Sequence, residues 1–154
     1  MKNCSVLILG VGNIYRKDDG IGIHVLNRLS GMSLGEGTRL LDGGTAGIDI
    51  VSYLEGVDRL IIVDAVLTTG VPGDIRVLNG TEIAEKDLFI SGHYGRISDM
   101  LDMAAALWKR PETFIVGIVP GDCESYEYGL SPELAAVQDK VAACVLRLAG
   151  GASD

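Results

Sequence analysis

Four aliphatic residues, Val6-Leu7-Ile8-Leu9, run directly into Gly10-Val11-Gly12, a charged loop, and a helical pattern at Ile21, Val25, Leu26 and Leu29. An apolar run that does not alternate suits a strand covered on both faces, and such strands belong to parallel sheets. The unit recurs. Arg59 to Ala65 is the clearest run, Thr38 to Leu41 a weaker one, and Thr113 to Val119 another, with helical patterns between them. This alternation predicts an α/β fold: three layers α/β/α, with a mostly parallel, doubly wound sheet of about five strands and helices on both faces. If the first strand lies between the second and third, the helices after the first and third leave on opposite faces. A crevice then opens between those strands' C-terminal ends, where open α/β sheets bind ligands.

The first strand is expected over Ser5 to Leu9 and the second over Thr38 to Leu41, with a short helix from Gly47 to Leu54. Asp74 to Leu78 reads as a fourth strand, antiparallel because the preceding connection is too short for a crossover helix. Asn79 to Leu88 is polar and acidic, a loop or irregular helical turn. A helix with Ile97, Leu101, Ala104, Ala105 and Trp108 on its apolar face follows and stops at Pro111. The last helix has Ser131 as N-cap and Pro132 at its first position. Its stripe is Leu134, Val137, Val141, Cys144, Val145 and Leu148, and Gly150 ends it. Neither a repeat nor a low-complexity stretch interrupts the 154 residues, so residues 1–154 are expected to form a single domain.

Composition removes several classes of function. A net charge of −8 argues against a nucleic-acid partner. The apolar runs fall far short of the roughly 20 residues a membrane span needs. Met1-Lys2-Asn3-Cys4 leads straight into a core strand and leaves no room for a signal peptide. Cys4, Cys123 and Cys144 are odd in number and contain no Cys-x-x-Cys pair, which fits a reducing cytoplasm. Cys4 and Cys144 sit in apolar patterns and are expected in the core.

The chemistry-bearing residues fall at strand ends. Asp18 and Asp19 lie between the first strand and the first helix; they either complement that helix's positive end or one of them serves function. Gly10-x-Gly12 raises the dinucleotide fingerprint, but Tyr15 stands where its third glycine belongs. Asp42 ends the second strand, where a Rossmann fold would hold a ribose; capping a turn is an equal alternative. Asp64 ends the third strand, and a carboxylate beside a core strand is costly unless it is paired or binds a cation. His93, at the mouth of the later helix, is a cap, a metal ligand or a proton relay. His24, inside the first helix, is left out of the site. The loop from Gly121 to Gly129 either lines the site or is a solvated turn. Neighbouring strands lie about 4.8 Å apart, so Asp19 and Asp64 can share one ion. With His93 they make a mixed oxygen and nitrogen ligand set that leaves positions open for water or substrate. No H-E-x-x-H motif is present.

Several motifs in order carry a family resemblance. They are Leu9-Gly10-Val11-Gly12-Asn13 with Asp19-Gly20-Ile21-Gly22, and Asp42-Gly43-Gly44-Thr45-Ala46-Gly47. Ile61-Ile62-Val63-Asp64-Ala65, Ser91-x-His93, Gly117-Ile118-Val119-Pro120 and Gly129-Leu130-Ser131-Pro132 follow. Together they resemble the hydrogenase maturation endopeptidases, which process the large subunit of [NiFe] hydrogenases. The resemblance implies a cut near the C-terminus of the large-subunit precursor, made once nickel has been inserted. It implies nickel ligands at Asp19, Asp64 and His93, with the nickel belonging to the substrate. Some members carry glutamate at the position of Asp19 and proline at that of Gly92. Asp42 is a candidate for a supporting or general-base role. Three other functions fit the same residues: a nucleotide-binding α/β enzyme, a non-enzymatic nickel carrier, and a flavodoxin-like signalling module that would bind magnesium.

Overall fold

The computed structural model describes residues 5–44, 48–86 and 96–151. The strands are β1 (Val6–Val11), β2 (Thr38–Gly44), β3 (Arg59–Ala65), β4 (Ile75–Leu78) and β5 (Glu112–Ile118). They form one sheet in the order β2-β1-β3-β5-β4. The β2-β1-β3-β5 pairings are parallel, and β4 pairs antiparallel with β5 at the edge. The helices are α1 (Ile21–Leu29), α2 (Gly80–Lys86), α3 (Ile97–Leu107) and α4 (Pro132–Leu146). A 3-10 turn, Lys17–Gly20, leads into α1; a longer 3-10 segment, Ile48–Leu54, connects β2 to β3.

The continuous apolar runs of β1 and β3 feed two cores at once, because strand side chains alternate between faces. Leu7, Leu9 and Val11 of β1 and Leu60 and Ile62 of β3 pack with Ile50, Leu54, Ile83 and the buried face of α3. Ile8, Ile61 and Val63 pack on the other face with α1 and α4. Leu7, Ile8 and Leu9 are wholly buried, and each such side chain contributes roughly 1.5–3 kcal/mol. The layers and the place of β1 between β2 and β3 are as the sequence predicts, and α1 and α3 cover opposite faces.

Some boundaries differ from expectation. β1 continues through Gly10 and Val11, which stay paired with Asp42 and Gly44 of β2. Gly10 does not break the strand; it admits α1. A Cβ on Gly10 would stand 2.6 Å from the carbonyl oxygen of Gly22, and one on Gly22 would stand 2.2 Å from that of Val63. The two glycines let the N-terminus of α1 rest directly on the backbone of β1 and β3. The polar stretch after β4 contains α2. Its start is a reciprocal cap: the Asn79 N–H donates to Glu82 Oε1 at 3.1 Å, and the Glu82 N–H to Asn79 Oδ1 at 3.0 Å. In α3 the buried stripe is Ile97, Met100, Leu101 and Ala104, while Ala105 faces solvent. Cys144 is buried as expected; Cys4 lies outside the described residues.

Candidate functional site

β1 and β3 are adjacent and parallel, with Gly10 opposite Val63, so their C-terminal ends open side by side. The chain leaves β1 through Gly12, whose φ of 121° is closed to side-chain-bearing residues. A Cβ there would stand 1.9 Å from the carbonyl oxygen of Asp19. The loop therefore folds back on itself, and the Asn13 N–H donates to Asp19 Oδ2 at 2.9 Å. This bond aims the half-buried Asp19 carboxylate at the end of β1. Asp64, 5% exposed, ends the buried part of β3, and its Oδ1 accepts from the Ala65 N–H at 2.8 Å. By alternation it continues the row of Leu60 and Ile62, the row packed on the α3 side of the sheet.

The acidic pair divides by role. Asp18 is completely buried. Its Oδ2 accepts from the Gly121 and Asp122 N–H groups at 2.8 and 2.9 Å, and from the Ser131 hydroxyl at 2.8 Å. Its Oδ1 accepts from the Ser131 N–H at 2.7 Å. Asp18 thus clamps the loop after β5 to the loop after β1. Ser131 precedes α4 as expected, but its hydroxyl serves Asp18 and makes no cap bond to the helix.

The same clamp brings Cys123 into the site, a residue no sequence signal singled out. Burial first, and then the negative charges of Asp19, Asp18, Asp64 and Asp122, push its thiol up to about 12. Cys123 stays protonated at neutral pH and is no nucleophile there. The thiol lies in the field of Asp19, Asp18, Asp64 and Asp122.

The loop from Gly121 to Gly129 lines this edge. The Lys17 N–H donates to the Glu127 carbonyl at 2.9 Å, and Lys17 Nζ pairs with Glu127 Oε1 at 3.4 Å. Arg16 covers the Tyr126 ring, 5.1 Å from its centroid. His24 packs edge-on against Tyr128 with ring centroids 5.4 Å apart, apart from the carboxylate chemistry. Asp42 is exposed at the end of β2, opposite Gly10 and on the other side of β1 from β3. His93 lies outside the described residues, a short step before α3. Among the described residues, no three His, Cys, Asp or Glu side chains are gathered as a metal site. A cavity of about 400 Å³ lined by Ser5, Asp58, Trp108 and Lys109 sits at the opposite edge of the sheet.

A family model described as HycI, hydrogenase maturation protease, matches residues 23–148. The hydrogenase 2 maturation protease of Escherichia coli K12 is 33% identical over 138 residues, covering 86% of this chain and 82% of that protein. The hydrogenase expression/formation protein HupM of Azotobacter chroococcum is also 33% identical, over 79% of this chain. This chain spans only 60% of the length of HupM. The solved structure of the hydrogenase maturating endopeptidase HybD from E. coli superposes with a TM-score of 0.82 at 30% identity, covering 96% of this chain and 91% of that one. The [NiFe] hydrogenase maturation protease HybD from Thermococcus kodakarensis gives 0.78 at 32% identity, over 97% and 99% of the two chains. Sequence match, identity and fold agree over most of the chain, which belongs to the hydrogenase maturation proteases, a family of peptidases.

Proposed function

We propose that this protein removes a C-terminal extension from the nickel-loaded large-subunit precursor of a [NiFe] hydrogenase. The observation that carries the reading is that Asp19 follows β1 and Asp64 lies near the end of β3, two adjacent parallel strands whose C-terminal ends open side by side. Asp19, Asp64 and His93 then hold the nickel that arrives with the precursor. Oxygen and nitrogen donors suit a divalent first-row ion, and three protein ligands leave room for the substrate. Held there, the ion orients the cleavage region and polarises a carbonyl or a water. Asp42, at the end of β2, is assigned a supporting or general-base role. The protonated Cys123 takes no part as nucleophile. The cytoplasm is the compartment this reading requires, and the free thiols Cys123 and Cys144 accord with it. Among the described residues, no helix is long and apolar enough to cross a membrane.

The test is incubation with nickel-loaded and nickel-free precursor, followed by intact mass of both polypeptides. The nickel-loaded precursor should lose its C-terminal extension and the nickel-free one should stay whole, with chelator added after loading making no difference. Equal cleavage of both forms contradicts nickel recognition. A precursor that gains or loses nickel at unchanged length points to a carrier.

A further inference from the structure

Large apolar side chains stand in solvent on the loops that follow the C-terminal ends of β1, β3 and β5. Tyr15, after β1, is 63% exposed; Leu67 and Val71, after β3, are 87% and 64% exposed; Tyr126 and Tyr128, after β5, are 83% and 63% exposed. Three loops supply them, and the loops are tied together. The Asp18 carboxylate holds the loop after β5 to the loop after β1 through Gly121, Asp122 and Ser131. The Gly73 N–H donates to the Val119 carbonyl at 2.8 Å, and Pro72 Cβ lies 3.5 Å from where a Cβ on Gly121 would stand. The Tyr15 and Tyr128 rings are 6.2 Å apart. Exposed apolar side chains gathered on one braced frame mark an interaction surface, and tyrosine is the side chain such surfaces favour.

Charge narrows the partner. Residues 120–131 carry Asp122, Glu124 and Glu127 and no lysine or arginine. Glu127 is paired with Lys17 and Asp74 with Arg76. Even with Asp19 and Asp64 left to the nickel, Asp122 and Glu124 outweigh Arg16, so the rim is apolar with a negative surplus. A complementary segment presents aliphatic side chains with lysine or arginine beside them.

We propose that the rim of Tyr15, Leu67, Val71, Tyr126 and Tyr128 is the docking surface for the precursor, which lays an extended, basic and aliphatic segment across it. The inference rests on the reading of this chain as the precursor's protease. It assigns recognition to residues outside the carboxylate pair and explains why three loops expose large apolar groups at one edge.

The experiment measures binding of nickel-loaded precursor to the immobilised full-length chain by surface plasmon resonance, with intact mass of the eluted precursor as a second readout. The double variant Tyr126→Ser/Tyr128→Ser and the single variant Leu67→Ser should each weaken binding at least tenfold, with unfolding midpoints unchanged. Leu67 makes no part of the ring stack, so its variant decides the matter even where the tyrosine pair disturbs the loop. Leu107→Ser, exposed at the opposite edge of the sheet, should bind as the parent does. Unchanged affinity in both rim variants overturns the docking surface and leaves the protease reading intact. Binding without shortening overturns the protease reading, while the variant affinities still decide the rim. Failure of the parent to bind overturns both.

Discussion

Asp18 and Asp19 are neighbours of one chemical type with opposite environments. Asp18 accepts four hydrogen bonds in a fully buried position. An asparagine there would turn an NH2 group toward donors and leave buried groups unmatched. Asp18→Asn should cost about 3 kcal/mol, read as a lower urea midpoint. Asp19 is half buried, and an asparagine oxygen can still accept from the Asn13 N–H. Asp19→Asn should change stability by less than about 1 kcal/mol while processing is lost. A midpoint for Asp19→Asn as low as that for Asp18→Asn would show the two residues share one structural role. Proximity in sequence could not separate them, because Asp18's partners arrive from Gly121 to Ser131. Cys123 was illegible for the same reason: apart from its neighbour Asp122, its field comes from Asp18 and Asp19 on one distant segment and Asp64 on another. Its thiol, pushed up to about 12 by burial and these carboxylates, should react with iodoacetamide at pH 8 more than about tenfold slower than in the urea-unfolded chain. Equal rates would contradict the raised value.

At the scale of elements, the legible ones are those whose burial is written in composition. β1 and β3 are buried on both faces and read as unbroken aliphatic runs; α1 and α4 bury one clear stripe. α2 buries Ile83 among its polar residues, so its signal lay in the Asn79 and Glu82 cap and not in periodicity. The glycines between β1 and α1 were visible as glycines, but their purpose depends on which backbones meet. A Cβ on Gly22 would stand 2.2 Å from one carbonyl oxygen and 2.6 Å from another, Val63 and Val11. Backbone cannot yield as a side chain can, so Gly22→Ala should destabilise by about 3 kcal/mol and move the Asp19 turn away from β3. A stable Gly22→Ala protein with full processing would contradict the placement of α1.

At the scale of the whole molecule, one group that couples pH to stability is His24. Burial lowers its pKa below 6.5, and its Nε2 is buried without a hydrogen-bond partner among the described residues. The unfolded chain therefore binds this proton more readily than the folded one, so His24 costs no stability above about pH 6.5 and a growing amount as pH falls below it. His24→Gln should lose less stability than the parent between about pH 7.5 and 5.5; identical slopes would contradict this. The topology that sets the end of β1 beside the end of β3 was legible because strand order follows from the alternation of elements. The exposed rim was not, since exposure is a property of the assembled loops. Asp64 is the residue on which processing depends most directly in the proposed site. Its Oδ1 accepts from the Ala65 N–H, a bond that an asparagine oxygen preserves. The decisive measurement is the intact mass of nickel-loaded precursor after incubation with Asp64→Asn beside the parent. The parent should yield the shortened large subunit and Asp64→Asn should leave it whole; shortening at the parental rate by Asp64→Asn would contradict the site.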